Sequence, residues 1–159
     1  MELGFSEKSE ERIKTLLARP PNREAALIPV LYVAQDQFGY LSHDVMALVA
    51  KRLELPETHV INTATFYTLL RKKETGKHHI QVCTNVSCYL RGCDGILAAI
   101  EKKLSIAPGK TTPDRKFSLE EVQCLAACGN APAVQINDKY YEDLTPNRVI
   151  EVIEKLKNE

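Results

Sequence analysis

Five cysteines are the residues of this chain with the most chemistry to offer, and four of them form two close pairs. Cys83 and Cys88 stand in Val82-Cys83-Thr84-Asn85-Val86-Ser87-Cys88, with four residues between them. Cys124 and Cys128 stand in Gln123-Cys124-Leu125-Ala126-Ala127-Cys128-Gly129, with three between them. Four thiolates can hold a 2Fe–2S cluster, a 4Fe–4S cluster, a single iron or a zinc ion, and the spacing alone does not choose. A thiol–disulfide enzyme would want Cys-x-x-Cys, which neither pair has. A Rieske site needs a histidine close to each cysteine pair, and His43, His59, His78 and His79 do not offer that spacing.

The residues around the pairs favour a cluster over zinc. Thr84, Asn85 and Ser87 are short and polar, while Ala126, Ala127, Gly129 and Ala131 are small. A cluster held by four thiolates is anionic and gains from backbone N–H groups brought close to its sulfurs, which small side chains permit. A helix starting just after Cys88 would add its positive dipole end. Cys93 complicates the pattern, because it follows Cys88 at the same interval that separates Cys83 from Cys88. If that helix begins near Tyr89, Cys93 falls on its second turn and points away from a site at its start. Cys93 is therefore expected to be a free thiol.

The elements that must position these cysteines divide the chain. Helices are expected over 6–18, with Ser6 or Ser9 as cap, and over 23–38, with Leu27, Leu31, Ala34 and Phe38 in one stripe. Arg19-Pro20-Pro21-Asn22 stops the first, and Pro29 should sit in the first turns or at a kink of the second. Ser42 caps a third helix with Val45, Leu48, Val49 and Leu53 on one side. Pro56 should open a fourth at its first position, running to about Leu70. The charged stretch Arg71 to Lys77 then marks a boundary between a helical domain, 1–72, and a second domain, 77–159.

In the second domain, His79 to Cys83 alternates as a strand does, and Tyr89 to Leu104 is helical with Leu90, Leu97, Ile100 and Leu104 as core. Phe117 to Cys124 is a second strand. Ala133–Ile136 and Tyr140–Tyr141 should pair as a hairpin through Asn137-Asp138-Lys139. Thr145 caps a last helix with Pro146 at its first position and Val149, Val152, Ile153 and Leu156 as its stripe. The cysteines then fall at the ends of the first two strands, where a rigid scaffold can present ligands without losing ladder bonds.

Composition narrows the function. The 159 residues are 44% hydrophobic, enough for a real core, and 21 basic residues balance 21 acidic ones. A nucleic-acid binder would show a basic excess, so that class is disfavoured. The longest apolar run, Ala25 to Ala34, is too short to span a bilayer and is interrupted by Pro29. Glu2, Glu7, Glu10 and Glu11 near the start are wrong for an export or transit signal, so a cytoplasmic setting, or loss of a presequence, is expected. An odd cysteine count without an export signal favours metal or redox chemistry over a disulfide framework.

The same residues resemble a known family. Ala34-Gln35-Asp36-Gln37-Phe38-Gly39-Tyr40-Leu41, Ala64-Thr65-Phe66-Tyr67, Val82-Cys83-Thr84 with Ser87-Cys88 and Arg91-Gly92, and Glu121 to Gly129 followed by Ala131-Pro132 are similar to the E subunits of NADH–quinone oxidoreductase. These are small iron–sulfur subunits in the peripheral arm of respiratory complex I. The resemblance implies an α/β (α+β) chain: an N-terminal helical domain, then a thioredoxin-like ferredoxin domain with a mixed four-stranded sheet. It implies one 2Fe–2S cluster on Cys83, Cys88, Cys124 and Cys128, and gives Cys93 no role. It also implies a larger partner subunit that holds FMN and the NADH site, and a cytoplasmic place on the inner face of the membrane through the complex, without insertion.

The implied task agrees with electron counting. NADH gives up two electrons as a hydride, a 2Fe–2S unit stores one, and this chain has no Gly-x-Gly-x-x-Gly or phosphate loop. A flavin on the partner would have to split the pair. The helical domain is expected either to dock that partner or to serve as a stabilising cap. Equivalent subunits of NAD-dependent hydrogenases or formate dehydrogenases, and a stand-alone ferredoxin, remain as alternatives.

Overall fold

The computed structural model describes residues 3–18 and 23–158. The Arg19-Pro20-Pro21-Asn22 stop lies outside the described residues. The chain forms two compact units, Met1–Glu74 and Thr75–Glu159.

The first unit is helical. Helix α1, Glu7–Leu17, is capped by Ser6, whose Oγ accepts the Ser9 N–H at 3.3 Å. A 3-10 turn, Glu24–Ala26, leads into α2, Leu27–Phe38. Pro29 is the third residue of α2, inside the first turn, where its missing N–H has no helical partner to lose. Ser42 caps α3, His43–Leu53, by accepting the Val45 N–H at 3.2 Å. Helix α4, Glu57–Phe66, differs from expectation at both ends. Pro56 is its cap, with an extended ψ of 136°, and the helix stops at Phe66 instead of about Leu70.

The early end of α4 has a packing reason. Gln35 is buried in α2, donates to the Leu69 carbonyl at 3.2 Å and accepts the Arg71 N–H at 2.6 Å. Leu41 N–H adds a bond to the Arg71 carbonyl at 2.7 Å. These bonds tie down the turn that follows α4, where Leu70 N–H donates to the Tyr67 carbonyl at 3.1 Å, and seat Leu70 in the core. The core is built from Ile13, Leu31, Val49, Leu53 and Val60 among others. On α3, Met46 and Ala50 are buried beside Val45 and Val49, while the expected Leu48 is only half-buried.

The second unit is a mixed four-stranded sheet of order β2-β1-β3-β4. Its strands are β1 (His78–Cys83), β2 (Phe117–Val122), β3 (Val134–Ile136) and β4 (Lys139–Tyr141). Strand β1 runs parallel to β2 and antiparallel to β3, and β4 closes a hairpin with β3. The hairpin turns on Asn137-Asp138, with Asn137 at φ 53° and Lys139 already in β4. Two helices complete the core: α6, Cys93–Leu104, and α7, Pro146–Lys157, preceded by the short α5, Val86–Leu90. Ile96, Ile100 and Leu104 of α6 and Val149 and Ile153 of α7 share a core with Ile80, Val82, Phe117 and Leu119. Each such side chain is worth roughly 1.5–3 kcal/mol on burial.

One glycine fixes the entry to β1. A Cβ on Gly76 would lie 2.8 Å from the Phe117 backbone and 2.9 Å from the Arg115 carbonyl oxygen. Only glycine lets the chain run this close to the start of β2.

The helix expected as one piece over Tyr89–Leu104 is two. Gly92, at φ 87°, ends α5 and starts α6 in a new direction. Leu90 is consequently 77% exposed and outside the core, whereas Cys93 and Ile96 are buried.

Candidate metal centre

The parallel pairing of β1 and β2 brings the two cysteine segments to one end of the sheet. Cys83 is the last residue of β1 and lies in register with Val122, the last of β2. The strands stay tied there: Thr84 N–H donates to the Val122 carbonyl at 3.0 Å, and Cys83 N–H to the Ala133 carbonyl at 3.1 Å. Two residues beyond Val122 stands Cys124, in the loop that leads to Cys128.

The first pair is built into the core. Cys83 and Cys88 are each 2% exposed. Asn85 caps α5 by accepting the Val86 N–H at 2.7 Å, which turns the helix so that Cys88, its third residue, points inward. Their sulfurs interact, and burial pushes the Cys88 thiol up to about 11. The Ala133 backbone N–H opposes that rise by donating to the Cys88 sulfur. The Cys83 thiol lies 3.9 Å from the Gln123 carbonyl oxygen, which places the second loop against the first pair.

The second pair is exposed. Cys128 opens a 3-10 turn, Cys128–Asn130. Between Cys124 and Cys128, Leu125 is buried in the core and anchors the loop, and Ala126 takes a left-handed φ of 58°. That conformation aims the Ala126 N–H at the Cys124 sulfur, at 3.3 Å. The loop returns through Ala131 and Ala133, both buried, and is braced by Asp143 N–H donating to the Asn130 carbonyl at 2.8 Å.

Among the described residues no three histidine, cysteine, aspartate or glutamate side chains already converge as a metal-holding group. The chemistry of the donors nonetheless fits an iron–sulfur cluster. The buried half offers thiols in an apolar wall, and backbone N–H groups of Ala126 and Ala133 point at sulfurs, as an anionic thiolate centre requires. Ala133 is the part that residue reading missed. Its role depends on β3 pairing with β1, and no local pattern signals it. His43 and His59 are exposed on α3 and α4, and His78 and His79 are buried in β1.

Cys93 is a free cysteine, but it does not stand on the second turn of a helix begun at Tyr89. It is the first residue of α6, fully buried, and near enough to the pair for the charges of Cys83 and Cys93, and of Cys93 and Cys88, to interact.

This two-layer arrangement of sheet and helices, with thiols at the strand ends, defines a class: the chain belongs to the thioredoxin-like 2Fe–2S ferredoxin family, whose profile matches residues 13–157. Within that class its relatives are NADH-quinone oxidoreductase E subunits. The Rickettsia bellii protein of that name is 48% identical over 141 residues, covering 88% of this chain and 84% of the relative. The Rickettsia prowazekii protein is 44% identical over 159 residues, covering 98% and 90%. In fold, the chain is similar to a crystal structure of an NAD+-reducing NiFe hydrogenase, with a TM-score of 0.71 and 22% identity. That likeness covers 84% of this chain and 23% of the hydrogenase chain. Among the described residues no helix is long and apolar enough to cross a membrane.

Proposed function

We propose that this chain is a one-electron carrier subunit of an NADH:quinone oxidoreductase, with a 2Fe–2S cluster held by Cys83, Cys88, Cys124 and Cys128. The observation that supports it best is the register of Cys83 with Val122, which sets both cysteine segments at one sheet end with N–H groups aimed at their sulfurs. A bound 2Fe–2S cluster supplies reversible uptake of a single electron. The chain's own residues do the rest. Cys83 and Cys88 fix one side in the core, the loop anchored by Leu125 brings the other, and Ala126 and Ala133 N–H groups stabilise negative charge on sulfur.

The names of the relatives, at 44–48% identity, favour the quinone-reducing assembly over a hydrogenase or formate dehydrogenase. In that assembly a larger subunit would hold FMN and the NADH site. The exposed Val86, Tyr89 and Leu90 beside Cys88 suit a protein neighbour at the electron-transfer face. In the helical domain, read as the docking domain, exposed Phe66 and Tyr67 stack edge to face with centroids 5.1 Å apart and suit another. The complex would sit on the cytoplasmic, inner face of the membrane without this chain entering it.

EPR of the anaerobically purified protein tests the centre. A silent oxidised form and an S = 1/2 signal after dithionite, with iron and sulfide near two each, is the expected result. A colourless, silent, zinc-containing protein would sink the electron-transfer reading.

A further inference from the structure

The two cysteine segments meet a third stretch of chain, residues 142–144, between β4 and α7. This stretch is bonded along the loop that follows Cys128. Asn130 Nδ2 donates to Glu142 Oε2 at 3.1 Å, Asp143 N–H to the Asn130 carbonyl at 2.8 Å, and Leu144 N–H to the Pro132 carbonyl at 3.3 Å. Leu144 is buried and fixes the stretch to the core. Asp143 takes a left-handed φ of 47°, which aspartate tolerates better than most residues. Its N–H faces Asn130, while its carboxylate reaches the other segment, with Oδ1 3.8 Å from Arg91 Nη2. Arg148 of α7 donates to the Asp143 carbonyl at 3.2 Å and steadies that peptide.

Both ends of this link lead to a cysteine. Arg91 caps the C-terminal end of α5, and its N–H donates to the Ser87 and Cys88 carbonyls at 3.2 Å each. Asn130 N–H donates to the Ala127 carbonyl at 3.1 Å and closes the turn that holds Cys128. A continuous path of polar contacts therefore runs from the Cys88 carbonyl to the Cys128 turn, with Asp143 as its middle link. We propose that Asp143 is a positioning residue of the metal centre, clasping the Cys88 and Cys128 segments and so setting the separation of the two halves. The inference rests on the reading of Cys83, Cys88, Cys124 and Cys128 as the ligands. Asp143 acts through Arg91 and Asn130 and not on the centre itself. Its backbone bond to Asn130 survives any side chain that accepts the left-handed turn. The contact with Arg91, between side chains that are both more than half exposed, is the weaker part and is screened by salt.

The test uses the cluster-loaded full chain and compares Asp143→Gly, Arg91→Gln and the double variant. Glycine keeps the left-handed backbone and the N–H on Asn130, and removes only the carboxylate. Release of iron to a chelator is timed. Visible circular dichroism of the oxidised centre and EPR of the reduced one are recorded, with far-UV circular dichroism and the denaturation midpoint as checks on folding. Each single variant should release iron about two- to fivefold faster than the parent at low salt, and the double variant no faster than either. The difference should shrink at high salt. Visible dichroism and g values should shift alike in both single variants, and Asp143→Asn, which keeps an acceptor for Arg91, should recover part of the loss. Should Asp143→Gly fail to fold, Asp143→Asn takes its place in the comparison. Additive effects in the double variant overturn the inference. So does a lowered denaturation midpoint with unchanged spectra, which would leave Asp143 a purely structural role. If the unsubstituted protein holds no 2Fe–2S centre, the reading of the four ligands fails first. In that protein thiol labelling of Cys88 should still speed up about two- to fivefold in Arg91→Gln and Asp143→Gly, and unchanged labelling overturns the clasp on its own.

Discussion

The two cysteine pairs are held by opposite means. Cys83 and Cys88 are set by a central strand and a capped helix, buried to 2% exposure, with the Cys88 thiol raised to about 11 by desolvation. Cys124 and Cys128 are exposed on a loop whose only buried side chain between them is Leu125. One half of the proposed site is therefore part of the fold's core, and the other is tethered to it.

The largest test of this difference is Leu125→Ala. Removing the one anchor in the second loop should cost about 2–3 kcal/mol in chemical denaturation, the low end for a buried leucine because the loop can relax. Cluster content should fall while the cluster-free protein keeps Cys83 and Cys88 buried, which thiol labelling reads directly. Equal loss of protection at all four cysteines would show that the halves are not independent.

Gly76→Ala attacks the other half. The new Cβ meets backbone at the start of β2, which cannot step aside cheaply, and should cost roughly 1–3 kcal/mol. Its signature is increased labelling of Cys83, at the far end of β1 from that entry, with Cys124 and Cys128 unaffected.

The pH dependence of the cluster-free protein sharpens the comparison further. Burial, opposed by the Ala133 N–H, raises the Cys88 pKa from the ordinary 9.0 to about 11. The neutral thiol's contribution to stability is then complete below pH 9 and is lost as pH rises through 11. Alkylation should modify Cys124 and Cys128 first near neutral pH, and Cys88 only as pH climbs through that window. Early modification of Cys88 would place it outside the core.

The smallest effect belongs to Ala126→Gly. Glycine relieves a left-handed alanine at φ 58° but adds entropy to the unfolded chain, so a net change of a few tenths of a kcal/mol is expected, on the stabilising side. A substitution to a β-branched residue at the same place should destabilise, and similar midpoints for glycine and valine would remove the strain argument.

Much of the frame was legible in order along the chain. Ser6, Ser42 and Thr145 cap helices where their side chains predict, and the second unit has the strands and final helix that its apolar pattern indicates. Where reading failed, a long-range contact had intervened. The fourth helix ends early because Gln35 claims the backbone near Leu69 and Arg71. The stretch after Cys88 breaks at Gly92 because Cys93 and Ile96 belong to the core and Leu90 does not.

By itself, the sequence determined most of the elements, their caps and the two cysteine pairs, because capping, periodicity and ligand type are local properties. Only the tertiary structure decided that Val122 faces Cys83, that Ala133 lends its N–H to Cys88, and that Cys93 turns inward. Each of these depends on which strand pairs with which and on which side chains the core has room for.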